Sequence, residues 1–528
     1  MNSQAADIDN KLKVALAVVL GSATFIIIGL LLAVSQMLAA FLIMLVILAI
    51  VLPHHALISL FLISMTISSS FIIPFVKGRP LIWEAASILA WTGLPILYLL
   101  RRQNPAAGNI FKNNKVLLIA PFLYCIILVL LMRHHGVQSG SYGTEGAGLR
   151  RYIQQIVCAV FPLLYISIMP SEKILKQLFV IQMWLTGTFF LGELSLNFLR
   201  GDLLYILAFL DITSDSFGFA VNAVSGGFRR FQSLHSFAIA LIFLLMLKVP
   251  MRKWFTLEGV WILPTLVILI IAGLMSGHRY TLYTLGTVMM GVAWVQRFVT
   301  FMRFTFVFTL VVMAILFAYT FSTDLPDSIQ RSLTLLPNIE VSPQVAIDAR
   351  GTLDGRSDIF KIGTDMILDH YIIGRGFGMT QESIDILSRG MVQGEEEKYY
   401  SGMGVFYNGT LGLLVNTGVI GAIIMIGFIS FGCNLAFRVI GLVRRNNWDD
   451  SFSRFAGVLA SYFLSQAFTT LFLHGDVEII MRFFGAGAGT LLVIEYHLKK
   501  RIVQEQQDEG APRWYSNDRG TLRINEDA

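Results

Sequence analysis

Long apolar runs separated by short polar segments follow one another along nearly the whole chain. A helix needs about 20 mainly apolar residues to cross a bilayer. Fourteen runs approach or exceed that length, and the second is short enough to be re-entrant instead. The predicted spans cover residues 13–34, 37–52, 56–76, 81–100, 115–132, 152–169, 174–198, 232–248, 258–275, 280–296, 304–322, 403–433, 453–473 and 478–497. The pattern predicts an all-α polytopic membrane protein with about 12–14 transmembrane helices and one large loop, residues 323–402.

The composition favours the same class of protein. The 528-residue chain is 55% hydrophobic and 14% charged, with a mean hydropathy of +0.68, whereas soluble domains are about 25% charged. The net charge of +6 is too small and too scattered to indicate nucleic-acid binding. All three cysteines lie inside apolar runs, so we expect no disulfide bonds.

The positions of lysine and arginine predict the orientation of the chain. With the N-terminus in the cytoplasm, 23 of the 40 basic residues fall in cytoplasmic segments and 17 in external ones, as the positive-inside rule requires. Loop 323–402 is then external. Fourteen of the 17 external basic residues are arginine, whose planar fork suits bidentate phosphate binding. This bias suggests a phosphorylated ligand at the outer leaflet, although selection against external lysine would leave the same pattern.

The chain divides into four predicted parts, and the candidate chemistry lies in the second. The parts are N-terminal transmembrane helices ending in an interfacial segment (1–230, with 201–230 interfacial), a region that includes the large loop (231–433), C-terminal transmembrane helices (434–498), and a polar cytoplasmic tail expected to be disordered (499–528).

The first candidate site is the turn Ser276-Gly277-His278-Arg279 between two apolar helices. An ionised side chain at the bilayer centre costs about 2.5–3.5 kcal/mol on insertion scales, so such residues are functional hypotheses. Snorkelling of Arg279 from a helix end is the alternative interpretation.

The second candidate site lies in the large loop and begins at Gly355-Arg356-Ser357-Asp358. An amphipathic helix is expected at about residues 356–370, followed by His370 and the glycine-rich stretch 374–378. Glycine allows positive φ and close backbone approach. We therefore expect Arg356, His370 and Arg375 to project into one pocket. A solvated loop with a glycine helix stop is the alternative.

The third candidate site begins at Tyr407-Asn408 and continues to Asn416-Thr417-Gly418. Asparagine inside an apolar span needs partners, and glycine permits close helix packing. Arg229-Arg230 stand where an anionic head group would lie, just before a predicted span. The cluster His474, Asp476 and Glu478 lacks further ligands at metal-binding spacing, so we expect a polar turn there and no metal.

Three segments, in order, resemble the O-antigen ligase and O-antigen polymerase superfamily of membrane glycosyltransferases. They are SGHRYTLYTLG (276–286), GRSDIFKIGTDMILDHYIIGRGFG (355–378) and FYNGTLGLLVNTGVIGA (406–422). The chain departs from the family pattern at Tyr371, where proline is typical. It also departs at Tyr407, where the ligases typically carry a histidine that is proposed as the catalytic base.

The resemblance implies an organisation like that of the C-type glycosyltransferases. It implies transfer of a glycan from undecaprenyl diphosphate to an acceptor sugar hydroxyl at the periplasmic face of a bacterial inner membrane, without cofactor or metal. Expected partners are the undecaprenyl-diphosphate-linked oligosaccharide, the acceptor glycan, the lipid bilayer and, as a further candidate, a chain-length regulator.

The resemblance also suggests roles for the candidate residues. Arg279 and Arg356 would stabilise the diphosphate, assisted by Arg375, Arg229 and Arg230. His370 or Tyr407 would orient or deprotonate the acceptor, and His278 and Asn408 would contact the glycan. Tyr407 makes a polymerase the first choice. The alternatives are a ligase acting on lipid A-core and, in another class, a polysaccharide or lipid transporter or flippase, whose paired broken helices in two related halves we do not find.

Overall fold

A computed structural model of the protein describes most of the chain beyond residue 53. The described residues are 54–74, 79–100, 102–135, 148–198, 209–210, 231–298 without 255, 258 and 260, 301–380, 382–383, 385–386, 396–473, 475 and 477–508. The first two predicted spans, most of the interfacial segment with Arg229 and Arg230, and residues 509–528 lie outside this set, as do His474 and Asp476.

The described chain is built from helices, with two isolated β-bridges and no longer strand in those ranges. The α-helices are α1 (His55–Thr66), α2 (Ile82–Leu99), α3 (Ala107–Asn113), α4 (Lys115–His135), α5 (Leu149–Cys158), α6 (Phe161–Ile168), α7 (Glu172–Leu185), α8 (Gly187–Phe198), α9 (Leu234–Lys248), α10 (Ile262–Leu274), α11 (Tyr280–Val295), α12 (Phe301–Phe321), α13 (Asp327–Leu333), α14 (Pro343–His370), α15 (Glu396–Gly402), α16 (Gly409–Arg445), α17 (Ser451–Phe468) and α18 (Val477–Asp508).

Six helical segments of the described chain are long and apolar enough to cross a membrane. They are α2, α4, α5 with α6, α7 with most of α8, α16, and α17 with the π-helical turn Thr469–Leu473. Five shorter apolar helices accompany them. The prediction of an all-α polytopic membrane protein is confirmed.

The predicted span 56–76 is wrong in its second half. Helix α1 ends at Thr66, and Phe71 and Ile72 instead form bridges to Leu210 and Leu81. Three consecutive serines, 68–70, follow the helix. The Ser69 hydroxyl donates to the Thr66 carbonyl at 2.8 Å, and such local bonds compete with helix continuation.

The segments predicted to be cytoplasmic meet at one end of the bundle. Arg454 donates to the Leu247 carbonyl at 3.0 Å, Arg297 to the Arg444 carbonyl at 2.8 Å, and Arg501 to Glu172 at 2.9 Å. These contacts join loops that the charge pattern places on one side of the membrane. The end that carries loop 323–402 is called the loop end below.

The large loop is mostly helical. Helix α14 begins at Pro343, where the Ser342 hydroxyl accepts the Val345 amide at 3.4 Å; a serine cap followed by proline is a common helix start. The helix therefore starts thirteen residues before the predicted 356–370 helix. Gly355 and Arg356 therefore lie in its interior, whereas the sequence predicted Gly355 before the helix and Arg356 at its start.

Helix α16 is interrupted at Gly418, whose φ of 68° and ψ of 178° are not helical. The segment 371–376 packs into this break, and the two pieces together are called the clasp (371–376 with 415–419). The Val419 amide donates to the Tyr371 carbonyl at 2.8 Å, and the Arg375 and Gly376 amides donate to the Val415 and Asn416 carbonyls at 2.8 and 2.9 Å. Backbone groups that the break in the helix leaves without helical partners therefore form hydrogen bonds to the large loop.

Glycine is required on both sides of the clasp. A Cβ on Gly418 would lie 2.2 Å from the Ile372 carbonyl oxygen, and one on Gly374 would lie 2.4 Å from the Gly418 nitrogen. Gly374 and Gly376 have φ of 76° and 74°, the left-handed conformation that favours glycine. Backbone therefore meets backbone where the second and third sequence motifs come together.

Candidate functional site

The turn before α11 brings Arg279 against the large loop. Gly277 has a φ of 72° and shapes the turn, and half-buried Arg279 donates from Nη2 to the Ala349 carbonyl of α14 at 3.3 Å. The first candidate motif therefore contacts the helix that carries the second.

Arg331 of α13 fixes this junction. Its buried guanidinium forms an ion pair with Asp348, donates to the Gly277 carbonyl at 2.8 Å and donates to the Thr352 hydroxyl at 2.9 Å. One side chain thus ties the turn of α11 to α14. Sequence reasoning did not identify Arg331, because it lies in none of the recognised motifs and stands outside every apolar run.

Arg356 lies on α14 within reach of the same cluster. Its guanidinium carbon is 5.6 Å from the centre of the Tyr407 ring, a cation–π distance. Partial burial lowers the pKa of Arg356, and the charge of Arg331 lowers it further, whereas Tyr407 opposes the shift. Burial likewise lowers the pKa of Arg279, with Arg331 and Arg356 adding to the effect and Asp348 opposing it.

The cluster of three arginines is short of negative charge. Arg331 has Asp348 as a carboxylate partner, whereas neither Arg279 nor Arg356 has an acidic partner at ion-pair distance among the described residues. Arginine stays protonated at neutral pH despite such shifts. The arrangement is therefore suited to an anion that accepts bonds from two guanidinium groups.

Tyr407 stands between this cluster and a cavity. It has a φ of 51° and lines, with His278, a cavity of about 550 Å³ inside the bundle. Neighbouring Asn408 caps α16, since its side-chain oxygen accepts the Leu411 amide at 3.0 Å. The cap uses the side-chain oxygen of Asn408 and leaves its amide nitrogen unused by the cap.

The predicted common pocket of Arg356, His370 and Arg375 is wrong. Arg356 and His370 are fourteen residues apart on one continuous helix, which separates them by about 21 Å along its axis. His370 instead lies at the clasp, with its ring 6.3 Å from that of His135. Burial lowers the pKa of His370, with Arg375 and His135 adding to the effect and Asp369 opposing it.

The guanidinium of Arg375 forms its hydrogen bonds with backbone carbonyls. Its buried guanidinium donates to the carbonyls of Ser401, Gly402 and Gly378 at 2.7, 2.5 and 2.5 Å. Burial lowers its pKa to about 10, with Arg151 adding to the effect and Tyr152 opposing it. His135 also serves the clasp, through a 2.8 Å bond between Nε2 and the Gly374 carbonyl. These contacts point to loop positioning for Arg375 and leave little of it for a diphosphate.

A second polar group at the loop end was not predicted. His235 packs its ring 4.5 Å from that of His278 and hydrogen bonds to the Tyr280 hydroxyl, and all three residues line the cavity. Only His278 was singled out from the sequence, because His235 stands at a helix start without a motif. Within the described ranges, no three His, Cys, Asp or Glu side chains lie close enough together to hold a metal ion.

The fold and the site define an all-α polytopic membrane protein with an arginine cluster beside an internal cavity, and such buried or half-buried cations are candidate binding groups for an anion. Residues 264–426 match the family model described as O-antigen ligase. The match contains all three sequence motifs, which confirms the resemblance to the O-antigen ligase and polymerase superfamily. No curated protein matches the chain. The matched residues, just under a third of the chain, are thus similar to the O-antigen ligase family.

Proposed function

We propose that the protein transfers a glycan from undecaprenyl diphosphate to an acceptor sugar hydroxyl at the periplasmic face of the inner membrane. The observation that carries the proposal is that Arg356 lies over the Tyr407 ring and close enough to Arg279 to affect its pKa, while neither arginine forms an ion pair with a carboxylate among the described side chains. Diphosphate is a competent leaving group, and catalysis needs charge stabilisation as its bond to the sugar breaks.

The electrostatic stabilisation that two arginines can give a diphosphate is large enough to change the reaction rate. One guanidinium about 4 Å from a phosphate charge contributes roughly 4 kcal/mol at an effective dielectric constant of about 20. Each 1.4 kcal/mol is about tenfold in rate if it is realised in the transition state. Arg331 supports this role, because it holds the turn of Arg279 against the helix of Arg356 before any substrate arrives.

We assign acceptor orientation to Tyr407 and His278, which share the cavity. His370 lies about 21 Å from Arg356 along α14, so we place it, with Arg375, in the clasp and away from the reacting atoms. Tyr407→Phe removes one hydroxyl and keeps the ring over which Arg356 lies. The expected loss is roughly ten- to a hundredfold in kcat, and a wild-type rate would remove Tyr407 from the mechanism.

A polysaccharide polymerase is the first choice for the reaction. Tyr407 supports it, since this residue stands where the ligases that the chain resembles typically carry histidine. A ligase acting on lipid A-core is the second candidate, favoured by the description of the matching family. A chain-length regulator would be a partner only of the polymerase.

The polymer made by a deletion strain separates the two reactions. Loss of long chains, with the single repeat unit still attached to lipid A-core, indicates a polymerase. Loss of all polymer from lipid A-core, with lipid-linked polymer accumulating, indicates a ligase. Purified protein in nanodiscs should elongate or transfer a lipid-linked oligosaccharide without an energy source. Complete absence of turnover with matched donor and acceptor would contradict both reactions.

A further inference from the structure

The last turn of α14 exposes a group of apolar side chains. Leu368, Tyr371 and Ile372 lie on one face of the helix, because positions i, i+3 and i+4 point the same way. These residues are 84%, 56% and 61% exposed, and the next residue, Ile373, is 47% exposed. Ile359 faces the opposite side, where it is buried against α16. The group is called the apolar turn (368 and 371–373), and its exposure indicates a contact surface.

Helix α4 shows where the apolar turn lies relative to the membrane. At the end of the bundle opposite the loop end, the side-chain oxygen of Asn114, just before α4, accepts a hydrogen bond from Arg438 at 3.0 Å. At the loop end, the last residue of α4, His135, bonds to the Gly374 carbonyl of the clasp at 2.8 Å. The helix between them, Lys115–His135, has 21 residues and rises about 30 Å. This rise equals the thickness of the hydrocarbon core of a bilayer.

Helix α16 gives the same position independently. Arg438 forms an ion pair with Glu495 at 2.9 Å, and such charged groups are expected outside the hydrocarbon. Arg438 follows the break at Gly418 by twenty residues (438 − 418), which rise about 30 Å. A tilt of about 20° shortens this distance only to roughly 28 Å. Both helices therefore place the clasp, and with it the apolar turn, where the hydrocarbon core meets the lipid head groups.

The apolar turn adjoins exposed apolar side chains of a membrane span. Ile420 and Ile423 are 47% and 66% exposed on α16, a helix long and apolar enough to cross the membrane. They follow Val419, whose amide donates to the Tyr371 carbonyl at 2.8 Å. Tyrosine is enriched at the membrane boundary, where its ring lies against acyl chains and its hydroxyl reaches the head groups. The position and the side chains of the apolar turn therefore both suit a lipid surface.

We propose that the apolar turn inserts into the leaflet at the loop end, which is the outer leaflet in the predicted orientation. Its occupant is lipid, because the turn lies at the hydrocarbon boundary and beside the exposed side chains of α16. Insertion of this kind fixes the clasp end of the large loop to the membrane surface. It also gives a role particular to this chain to Tyr371, which stands where the family that the chain resembles typically has proline. The proposal does not depend on glycan transfer.

Spin labels on the full-length protein in phospholipid nanodiscs test the insertion. Ile372→Cys and Ile373→Cys place the label in the apolar turn. Ile423→Cys is the lipid-facing reference, and Ile347→Cys is the water-facing control, because Ile347 is 73% exposed near the start of the same helix α14. Two of the three native cysteines are buried, and the third, Cys433, is replaced by alanine in every variant.

The measured quantity is the accessibility of the label to oxygen, which concentrates in hydrocarbon, divided by its accessibility to a water-soluble nickel chelate. We expect this ratio at Ile372 and Ile373 to exceed the ratio at Ile347 several-fold and to approach the ratio at Ile423. A ratio equal to that at Ile347 would show that the apolar turn lies in water. Low accessibility to both quenchers would show that a protein partner or a second copy of the chain covers it. Either of these two results would overturn the proposal.

The four labelled positions are exposed, so the substitutions should leave the fold intact and the melting temperatures of the variants should match that of wild type. If Ile372→Cys lowers the melting temperature, the label at Ile373 carries the same expectation and decides the outcome. The measurement needs no turnover of substrate. A water-exposed apolar turn would therefore refute the insertion and leave the proposed glycan transfer standing, whereas an inactive enzyme with an inserted turn would do the reverse.

Discussion

Replacing Arg356 by lysine keeps the positive charge and removes the planar fork. If Arg356 makes two charge-assisted hydrogen bonds to the diphosphate, lysine loses one of them, which costs about 1.5–3 kcal/mol. The expected fall in kcat/KM is therefore roughly ten- to 150-fold. Arg356→Ala also loses the charge, worth roughly 4 kcal/mol at 4 Å, so its activity should fall about a thousandfold or more.

Folding should survive both changes. Arg356 is exposed on α14, and alanine and lysine are both good helix formers. Both substitutions remove the guanidinium that lies 5.6 Å from the centre of the Tyr407 ring, an interaction worth about 0.5–1 kcal/mol at an exposed site. Melting temperatures of the purified variants should therefore stay close to that of wild type.

Arg350→Ala is the matched control, since Arg350 is exposed on the same helix six residues earlier. Its kcat/KM with lipid-linked donor should equal that of wild type. If Arg356→Lys retains most of its activity, or if Arg350→Ala loses as much as Arg356→Ala, the loop supplies only a general positive potential. The bidentate contact at Arg356 would then be refuted.

Three further predictions concern the clasp and the orientation. Gly418→Ala should lower the melting temperature, because the new Cβ would lie 2.2 Å from the Ile372 carbonyl oxygen and the residue would keep a φ of 68°. Such backbone strain costs about 1–3 kcal/mol. The control is Gly427→Ala on the same helix, which has open space around its Cβ and should be neutral or stabilising. The pKa of His370 is lower in the folded protein than its ordinary value of about 6.5. As the pH falls below about 6.5, the unfolded state therefore binds more protons than the folded state, and the folded state loses stability. Amide exchange in the clasp, corrected for its intrinsic pH dependence, should therefore rise at pH 5 in wild type but not in His370→Gln. A cysteine replacing exposed Ile347 should react with impermeant maleimide added outside, and one replacing Asn446 should not; the reverse labelling would overturn the orientation.

Most of the helices could be predicted from the sequence, because apolar runs and helix caps depend on residues that are close together in the chain. The large loop was harder to predict. Gly355 suggests a turn, but a glycine inside a helix costs only about 1 kcal/mol, and α14 continues through it. That continuity is what separates Arg356 from His370.

The candidate site was only partly predictable. Arg279, Arg356 and Tyr407 each lie in a recognised sequence motif, and the structure brings them into one region. Arg331 lies in no motif, since its significance depends on which distant residues it contacts. Arg375 also lies in a motif, but its guanidinium binds backbone carbonyls and the neighbouring clasp glycines allow backbone to pack against backbone. A motif by itself does not distinguish a residue that binds substrate from one that holds the chain in place.

The clasp limits how this protein can be recombined. Surface loops are often exchangeable between relatives because their own backbone bonds do not complete the scaffold. Here the carbonyls of Val415 and Asn416 and the amide of Val419 find their partners in the loop segment 371–376. A chimera that takes its loop from another protein must therefore carry 371–376 and the break at Gly418 from the same parent. The large loop and α16 form a single inherited unit.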